Sequence, residues 1–399
     1  TPSKGQCGTH GSEPKPPRPL ALRSGDTEVR VLHVYKTYWP DTFGGAERTI
    51  HALAKGCSAQ GIETEVLSLS RDPAENTLHF DGHTAHKAKL NFELASTGFS
   101  LEFFSKYRKL GERADVIHYH FPWPLMDIAH LTCRQSAKTV VTYQSDVVKQ
   151  KSLLKLYSPL MHHFLSSVDH IVATSPNYVA SSPVLQRHRG SVSLIPLGLD
   201  EADYSRAGDA EKNLWQARFP RPFFLFVGVL RYYKGIHVLV DAARHIDADV
   251  VIAGTGPLEA QMRERAERIG ARNVHFIGAV SDESKAALLE LCTAFVFPSH
   301  LRSEAYGLSL VEASMFGKPM VTCEIATGTS FVNIDRRTGL VVEPDDPAQL
   351  AGALQTLCQD DRLREALGQG ARARYLDELT ASKMVNRYVD LYTAKAGRT

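Results

Sequence analysis

Short runs of apolar, β-branched residues alternate with longer helical stretches along almost the whole chain, and half-way along the rhythm starts again. The first run is Val29-Arg-Val-Leu-His-Val-Tyr35. A turn with Gly44-Gly45 follows, then a helical segment from Ala46 that stops near Gly61. Further strands are expected at 65–69, 116–119, 139–142, 170–173 and 192–195. The second series opens with Phe223-Phe-Leu-Phe-Val227 and continues at 250–253, 274–277, 295–297, 320–322 and 340–342. Strands separated by helices predict parallel sheets with right-handed crossovers. Near-continuous apolar runs suit strands buried on both faces. Two doubly wound α/β domains with a cleft between them follow, and ligands of such sheets bind beyond the carboxyl ends of the strands.

The totals narrow the function. Lys plus Arg number 46 and Asp plus Glu 44 in 399 residues, a net charge of +2. That balance excludes a nucleic-acid coat, so any anion site must be local. The 6 cysteines, at 7, 57, 133, 292, 323 and 358, form no CxxC pair and no Cys/His cluster at zinc spacing. Reduced thiols and no metal centre are expected. No apolar run approaches the roughly 20 residues that span a bilayer. Residues 1–28, rich in Pro, Gly and charge, are expected to be a leader outside the fold. These features predict a protein that works in the cytoplasm.

Five strand-end segments carry the candidate chemistry. In Thr42-Phe-Gly-Gly-Ala-Glu47, Gly44 and Gly45 let backbone approach a ligand, and the helix that follows favours an anion at its start; a plain turn is the alternative. His118-Tyr-His120 places two imidazoles on one strand face, with no third metal ligand nearby in sequence, and histidines on a strand are more often structural than functional. Gln144-Ser-Asp146 offers polar contacts to a sugar or acceptor, or caps a turn. Gly228-Val-Leu-Arg231-Tyr-Tyr-Lys234-Gly235 sets two cations, Arg231 and Lys234, at the mouth of a sheet. Either they meet phosphate or they form a solvated basic turn. The fifth segment, Ser303-Glu304-Ala-Tyr-Gly307-Leu-Ser-Leu-Val-Glu312-Ala-Ser-Met-Phe-Gly317-Lys-Pro319, reads as a short helix over 308–315 closed by Gly317 and Pro319. The amides of Tyr306, Gly307 and Leu308 would be the free donors at its start, with Glu304 before it and Glu312 within it.

Glu304 to Glu312 resembles the Glu-x7-Glu motif of family 4 retaining glycosyltransferases, which have the GT-B fold: two Rossmann-like doubly wound domains facing across a cleft. Gly44-Gly45, His118-x-His120, Leu230-Arg-Tyr-Tyr-Lys-Gly235, Gly254-Thr-Gly-Pro257 and Phe297-Pro-Ser299 follow in the family's order, so the resemblance covers roughly Arg30 to Tyr392. It implies an acceptor-binding domain over 29–200, a nucleotide-sugar-binding domain over 201–380, and a last helix in 381–399 that crosses back. It further implies that Arg231 and Lys234 bind the donor's diphosphate and that Glu312 binds the ribose. Glu304 would hold the transferred sugar, Gly45 would close on the phosphates, and His120 would touch the sugar. Two departures stand out. Many relatives carry Arg directly after the strand-end Gly, where this chain has Val229, and a His often stands where this chain has Gln144.

Val34-Tyr-Lys-Thr-Tyr-Trp-Pro40, Leu230-Arg-Tyr-Tyr-Lys-Gly235 and Thr327-Gly-Thr-Ser330 resemble bacterial mannosyl- or rhamnosyltransferases of lipopolysaccharide O-antigen. That implies a GDP-linked nucleotide sugar as donor substrate, no cofactor, and a lipid-diphosphate-linked glycan as acceptor at the inner membrane face. Lys149 to Tyr157 has the Lys and apolar content of a surface-binding helix, although an ordinary amphipathic helix packed on the sheet is the favoured reading. The competing readings are a GT-B epimerase or phosphorylase, a dehydrogenase, and a non-catalytic subunit. Neither first strand is followed by a full GxGxxG, which disfavours the dehydrogenase.

Overall fold

The computed structural model describes residues 29–73, 76–94, 97–146, 151–204 and 206–394. The expected leader at 1–28 lies outside the described residues, as does the start of the Lys149–Tyr157 segment with several of its side chains. The strands are β1 (Arg30–Val34), β2 (Glu63–Ser70), β3 (Thr77–Phe80), β4 (His83–Lys89), β5 (Phe92–Leu94), β6 (Thr97–Phe99), β7 (Val116–Phe121), β8 (Lys138–Tyr143), β9 (His170–Ala173) and β10 (Val192–Leu194) in the first half. The second half supplies β11 (Phe223–Val227), β12 (Asp249–Ala253), β13 (Val274–Gly278), β14 (Ala294–Phe297), β15 (Met320–Cys323) and β16 (Gly339–Val342).

They build one sheet in the order β10-β9-β8-β7-β1-β2-β4-β3 and a second in the order β13-β12-β11-β14-β15-β16. Every pairing is parallel except β3 with β4, while β5 and β6 form a separate antiparallel ribbon. Burial on both faces accounts for the apolar runs: Phe224, Leu225 and Phe226 of β11 are fully buried, and so is all of β7. The alternation of strand and helix thus places two doubly wound sheets as the sequence predicts. The hairpin β3–β4 and the ribbon β5–β6 are additions that the sequence pattern did not reveal.

The two sheets are tied together by chain crossings. Leu199 donates its amide to Leu379 O at 3.1 Å, and Ala381 donates to Leu199 O at 2.8 Å. The approach is so close that a Cβ on Gly198 would lie 2.3 Å from Thr380 O, which only glycine permits. The helix Ala381–Thr393 then runs back over the first sheet, against the helix Gly45–Ser58. Its Tyr388 hydroxyl meets Thr142 Oγ1 at 2.6 Å, its Tyr392 hydroxyl meets His118 Nδ1 at 2.6 Å, and Lys138 Nζ donates to Leu391 O at 2.6 Å.

One buried acid in this domain gives a pH test. Asp127, in the helix Pro124–Thr132, is fully buried and accepts from the Tyr157 hydroxyl; burial pushes its carboxyl up to about 8. A raised carboxyl binds its proton more tightly when folded, so its contribution to stability is greatest in acid and declines as pH rises from about 4 towards 8. Asp127→Asn removes that slope. Its urea midpoint therefore falls less between pH 5 and pH 8 than the parent's, and equal slopes would show that Asp127 is already ionised.

Candidate functional site

In the second domain the site begins at the end of β11. The loop from Gly228 to Gly235 is pinned beneath β14, because Gly235 adopts φ 64° and a Cβ there would lie 1.9 Å from Pro298 O. The short turn Tyr232–Lys234 therefore projects Lys234 over the Phe297 ring, 4.4 Å from its centroid. Lys234 Nζ donates to Glu304 Oε2 at 2.5 Å, with both side chains about nine-tenths buried. Ser299 Oγ donates to the same oxygen at 3.2 Å. Arg231, at the start of that turn, is exposed. Lys36, beyond the end of β1, lies close enough for the Arg231 charge to act on it; burial is the main force that lowers the Lys36 ammonium, with Glu47 opposing.

The helix Leu308–Met315 starts where expected, behind Gly307 at φ 86°. Tyr306 is buried and donates its hydroxyl to Leu197 O at 3.1 Å, which fixes the backbone ahead of the helix. The first amides of that helix have no intrahelical acceptor and carry the positive end of its dipole. One turn in, Glu312 accepts from the Tyr204 hydroxyl at 2.8 Å and from Lys285 Nζ at 2.9 Å.

The first domain answers with a helix start of its own. Gly44 caps the helix Gly45–Ser58, and Glu47 in its first turn accepts from Thr37 Oγ1 at 2.8 Å and Thr42 Oγ1 at 2.7 Å. A Cβ on Gly44 would lie 2.5 Å from Glu47 Oε2, and one on Gly45 would lie 3.3 Å from Leu308 Cδ1. Two helix N-termini thus meet across the cleft, with Arg48 of one domain 3.9 Å from Glu312 of the other. Converging amide ends beside Arg231 and Lys234 suit an anion with several oxygens, and flanking carboxylates suit its hydroxyl-bearing neighbours.

Comparison with known proteins agrees with that chemistry. Residues 43–203 match the family described as Glycosyltransferase Family 4, and residues 209–374 match Glycosyl transferases group 1. The chain is 50% identical over 353 residues to D-rhamnosyltransferase WbpZ of Pseudomonas aeruginosa, covering 88% of this chain and 93% of that one. It is 46% identical over 365 residues to O-antigen chain mannosyltransferase C of Escherichia coli, covering 92% and 98%. The chain belongs to this glycosyltransferase family. Among solved structures, a sucrose-phosphate synthase from Thermosynechococcus elongatus matches with TM-score 0.73 at 21% identity, over 92% of this chain and 98% of that one. Anabaena Alr3699/HepE in complex with UDP-glucose matches with TM-score 0.73 at 17% identity, over 92% and 100%. These two similarities establish the fold, which is GT-B.

Within this glycosyltransferase the histidines take the structural role that a strand favours, not the sugar contact that the resemblance implies for His120. His118 and His120 do share a face, but that face is covered by the terminal helix, and both rings are fully buried. His118 spends Nδ1 on Tyr392 and Nε2 on Thr142 Oγ1 at 2.6 Å, so it has nothing left for an acceptor or sugar. His120 faces His33 Nδ1 at 3.1 Å and the Gln144 amide at 3.3 Å, so in this arrangement it supports Gln144 and does not line open space. His33, fully buried on β1 and in register with His118, completes a trio that sequence reading missed. Hydrogen bonds within the protein engage both nitrogens of His118, which leaves the trio poorly suited to a metal.

Asp146 also differs. Its Oδ1 accepts from Tyr143 at 2.9 Å and Ser182 at 2.7 Å, and its Oδ2 pairs with Arg302 NH2 at 3.1 Å. It is a clasp between the domains, not a free ligand for an acceptor. Arg48, Tyr204, Lys285 and Arg302 were missed altogether, because nothing in their local spacing separates them from surface charge or linker.

Gly45→Val tests the approach of the two helix starts. Its branched side chain would push against Leu308 and hold the cleft apart. Turnover is expected to drop more than tenfold while the thermal midpoint stays within a few degrees, and an unaltered rate would show that this contact is irrelevant to closure.

Proposed function

We propose that this glycosyltransferase moves a mannosyl or rhamnosyl residue from a GDP-linked sugar to a lipid-diphosphate-linked glycan in O-antigen synthesis, with retention of anomeric configuration and without metal. The observation that carries the reading is the meeting of two helix N-termini beside Arg231 and the Lys234–Glu304 pair. The sugar and pathway rest on the similarity to WbpZ and to the E. coli mannosyltransferase. Arg231, Lys234 and the amides of Tyr306, Gly307 and Leu308 hold the diphosphate, Glu312 binds the ribose hydroxyls, and Glu304 orients the sugar.

The acceptor hydroxyl attacks the anomeric carbon from the face the diphosphate is leaving. The bond from carbon to phosphate oxygen breaks, its electron pair stays on the diphosphate, and a phosphate oxygen takes the acceptor's proton. Negative charge then develops where Lys234, Arg231 and the helix amides already stand, so they stabilise the transition state without rearranging. Closure excludes water and so suppresses hydrolysis of the donor. No helix among the described residues is long and apolar enough to cross a membrane, so the lipid-linked acceptor is met at the inner membrane face by peripheral contact.

A charge-assisted contact to phosphate is worth about 1.5–3 kcal/mol, so Lys234→Ala is expected to lower kcat/KM and GDP affinity roughly 10- to 100-fold. Transfer should run in EDTA, prefer GDP sugars over UDP sugars, and give a product whose anomeric proton signal matches the donor's configuration. Inverted product would sink the same-face mechanism. A UDP preference would sink the donor assignment, and unchanged kinetics in Lys234→Ala would remove that residue from the site.

A further inference from the structure

Against the Gly228–Gly235 loop, at the carboxyl ends of the second sheet's strands, three potential metal ligands converge from distant parts of the second domain. His237 is in the first turn of the helix Ile236–Ala243, His300 lies just past β14, and Asp345 lies just past β16. Their ligand atoms all lie within 4.8 Å of one another. Asp345 Oδ1 is 2.6 Å from His300 Nδ1 and 3.4 Å from His237 Nε2. The two imidazoles stand nearly edge to face, 4.9 Å apart at an interplanar angle of 73°.

Two details set this cluster apart from an ordinary surface ion pair. His300 Nε2 lies 2.9 Å from Tyr232 O, so it is the protonated nitrogen and donates there. In neutral imidazole that leaves Nδ1 as a bare lone pair pointing at the carboxylate. Although Asp345 Oδ1 is only 2.6 Å away, it does not lie where a hydrogen bond would put it. His300 Nδ1 is a buried nitrogen without a hydrogen-bond partner. A lone pair against a carboxylate oxygen at that distance is repulsive unless a positive charge stands between them. The backbone-bonded second nitrogen is also the usual arrangement behind a metal-bound histidine.

The second detail concerns Asp345, which holds its carboxylate in place from a left-handed backbone at φ 57°, between β16 and Asp346, the cap of the helix Pro347–Gln359. A first-row divalent cation bonded at about 2.0–2.1 Å to one nitrogen and one oxygen separates them by about 3.0–3.4 Å, depending on angle. The two observed separations bracket that range, so small side-chain rotations suffice.

We propose that His237, His300 and Asp345 bind a first-row divalent cation such as Zn2+, which pins the loop carrying Arg231 and Lys234 through the bond from His300 to Tyr232 O. Asp345 is 57% exposed, so water completes the coordination. The role is a clamp: the ion adds one shared bond centre to a helix start, a strand end and a loop, beside the direct bond from His300 to Tyr232 O. It takes no part in glycosyl transfer, so the proposal stands or falls apart from the assignment of donor and acceptor.

The full chain, stripped with chelator and dialysed, is titrated with ZnCl2 by calorimetry and with Co2+ by visible absorption. Wild type is expected to take up one Zn2+ with a dissociation constant of micromolar or tighter, to show ligand-field bands with Co2+, and to gain several degrees in thermal midpoint with metal. Asp345→Asn and the His237→Ala/His300→Ala pair should each lose at least tenfold in affinity and lose the thermal gain. His237→Ala alone, with a third of its ring exposed, keeps the test open should the pair fail to fold. Absence of stoichiometric uptake by wild type, or uptake and thermal gain that survive in these variants, overturns the proposal.

Discussion

Lys234 and Glu304 pair in an almost dry place, each the other's counter-ion. Breaking a buried pair by deleting one partner typically costs about 3–5 kcal/mol, since the survivor is left uncompensated. That pairing constrains everything around it. Gly235 must be left-handed to turn the loop under β14, Phe297 must present its ring to the ammonium, and Ser299 must hold the carboxylate from the other side. The pair also stores a choice. On the proposed function, a diphosphate entering beside it offers Lys234 a second anion, and the carboxylate released from sole attachment can then accept from sugar hydroxyls. On that proposal, one contact links the binding of phosphate to the placing of the sugar.

Around that pair, cross-domain bonds determine how closely the two strand-end surfaces approach. Asp146 with Arg302, Ser181 with Arg302 at 2.8 Å, Asn177 with Ser330 at 3.0 Å and Tyr306 with Leu197 all join residues of the two halves. Several of these groups are partly exposed, and exposed pairs contribute little individually, commonly below about 1 kcal/mol. Such a seam can open without disturbing either core. The terminal helix differs: Val385 fills the space beside Gly56, and Tyr388 and Tyr392 are fully or almost fully buried in the first domain. It behaves as part of that domain, and the crossing at Gly198 and Thr380 is where the chain passes between halves.

The sheets were legible because burial on both faces leaves a strand no polar positions. Phe223–Val227 could be read to the residue, and the helix Leu308–Met315 likewise, from its Gly and Pro punctuation. β4 escaped because its sequence, His-Thr-Ala-His-Lys-Ala-Lys, alternates polar and small residues near a sheet edge, and its partner β3 is half-exposed. In the site, Lys234 was marked by its spacing within Gly228–Gly235, and Glu304 and Glu312 by theirs within Ser303–Pro319. Arg48, Tyr204 and Lys285 converge on Glu312 from three separate elements, which is information of tertiary structure alone. The two histidines of β7 were correctly placed on one face. Which face it was depended on Tyr392, 274 residues further along the chain.

That buried face has its own electrostatic logic. Burial holds His33 down to about 3 and lowers His118 and His120 well below the ordinary range, so all three imidazoles are neutral at physiological pH. A histidine with a depressed folded pKa loses stability as pH falls below its unfolded value near 6.5, because the unfolded chain then binds the extra proton. Asp127 in the same domain slopes the other way above about 4, so the two effects oppose each other and favour an intermediate optimum. Neutrality matters for the site as well. Three uncharged rings beneath Tyr35 and Gln144 add no cation behind the first domain's half of the cleft. On the proposed function, the positive potential that a diphosphate meets comes from groups at the cleft itself, among them Arg231, Lys234, Lys36 and the two helix starts.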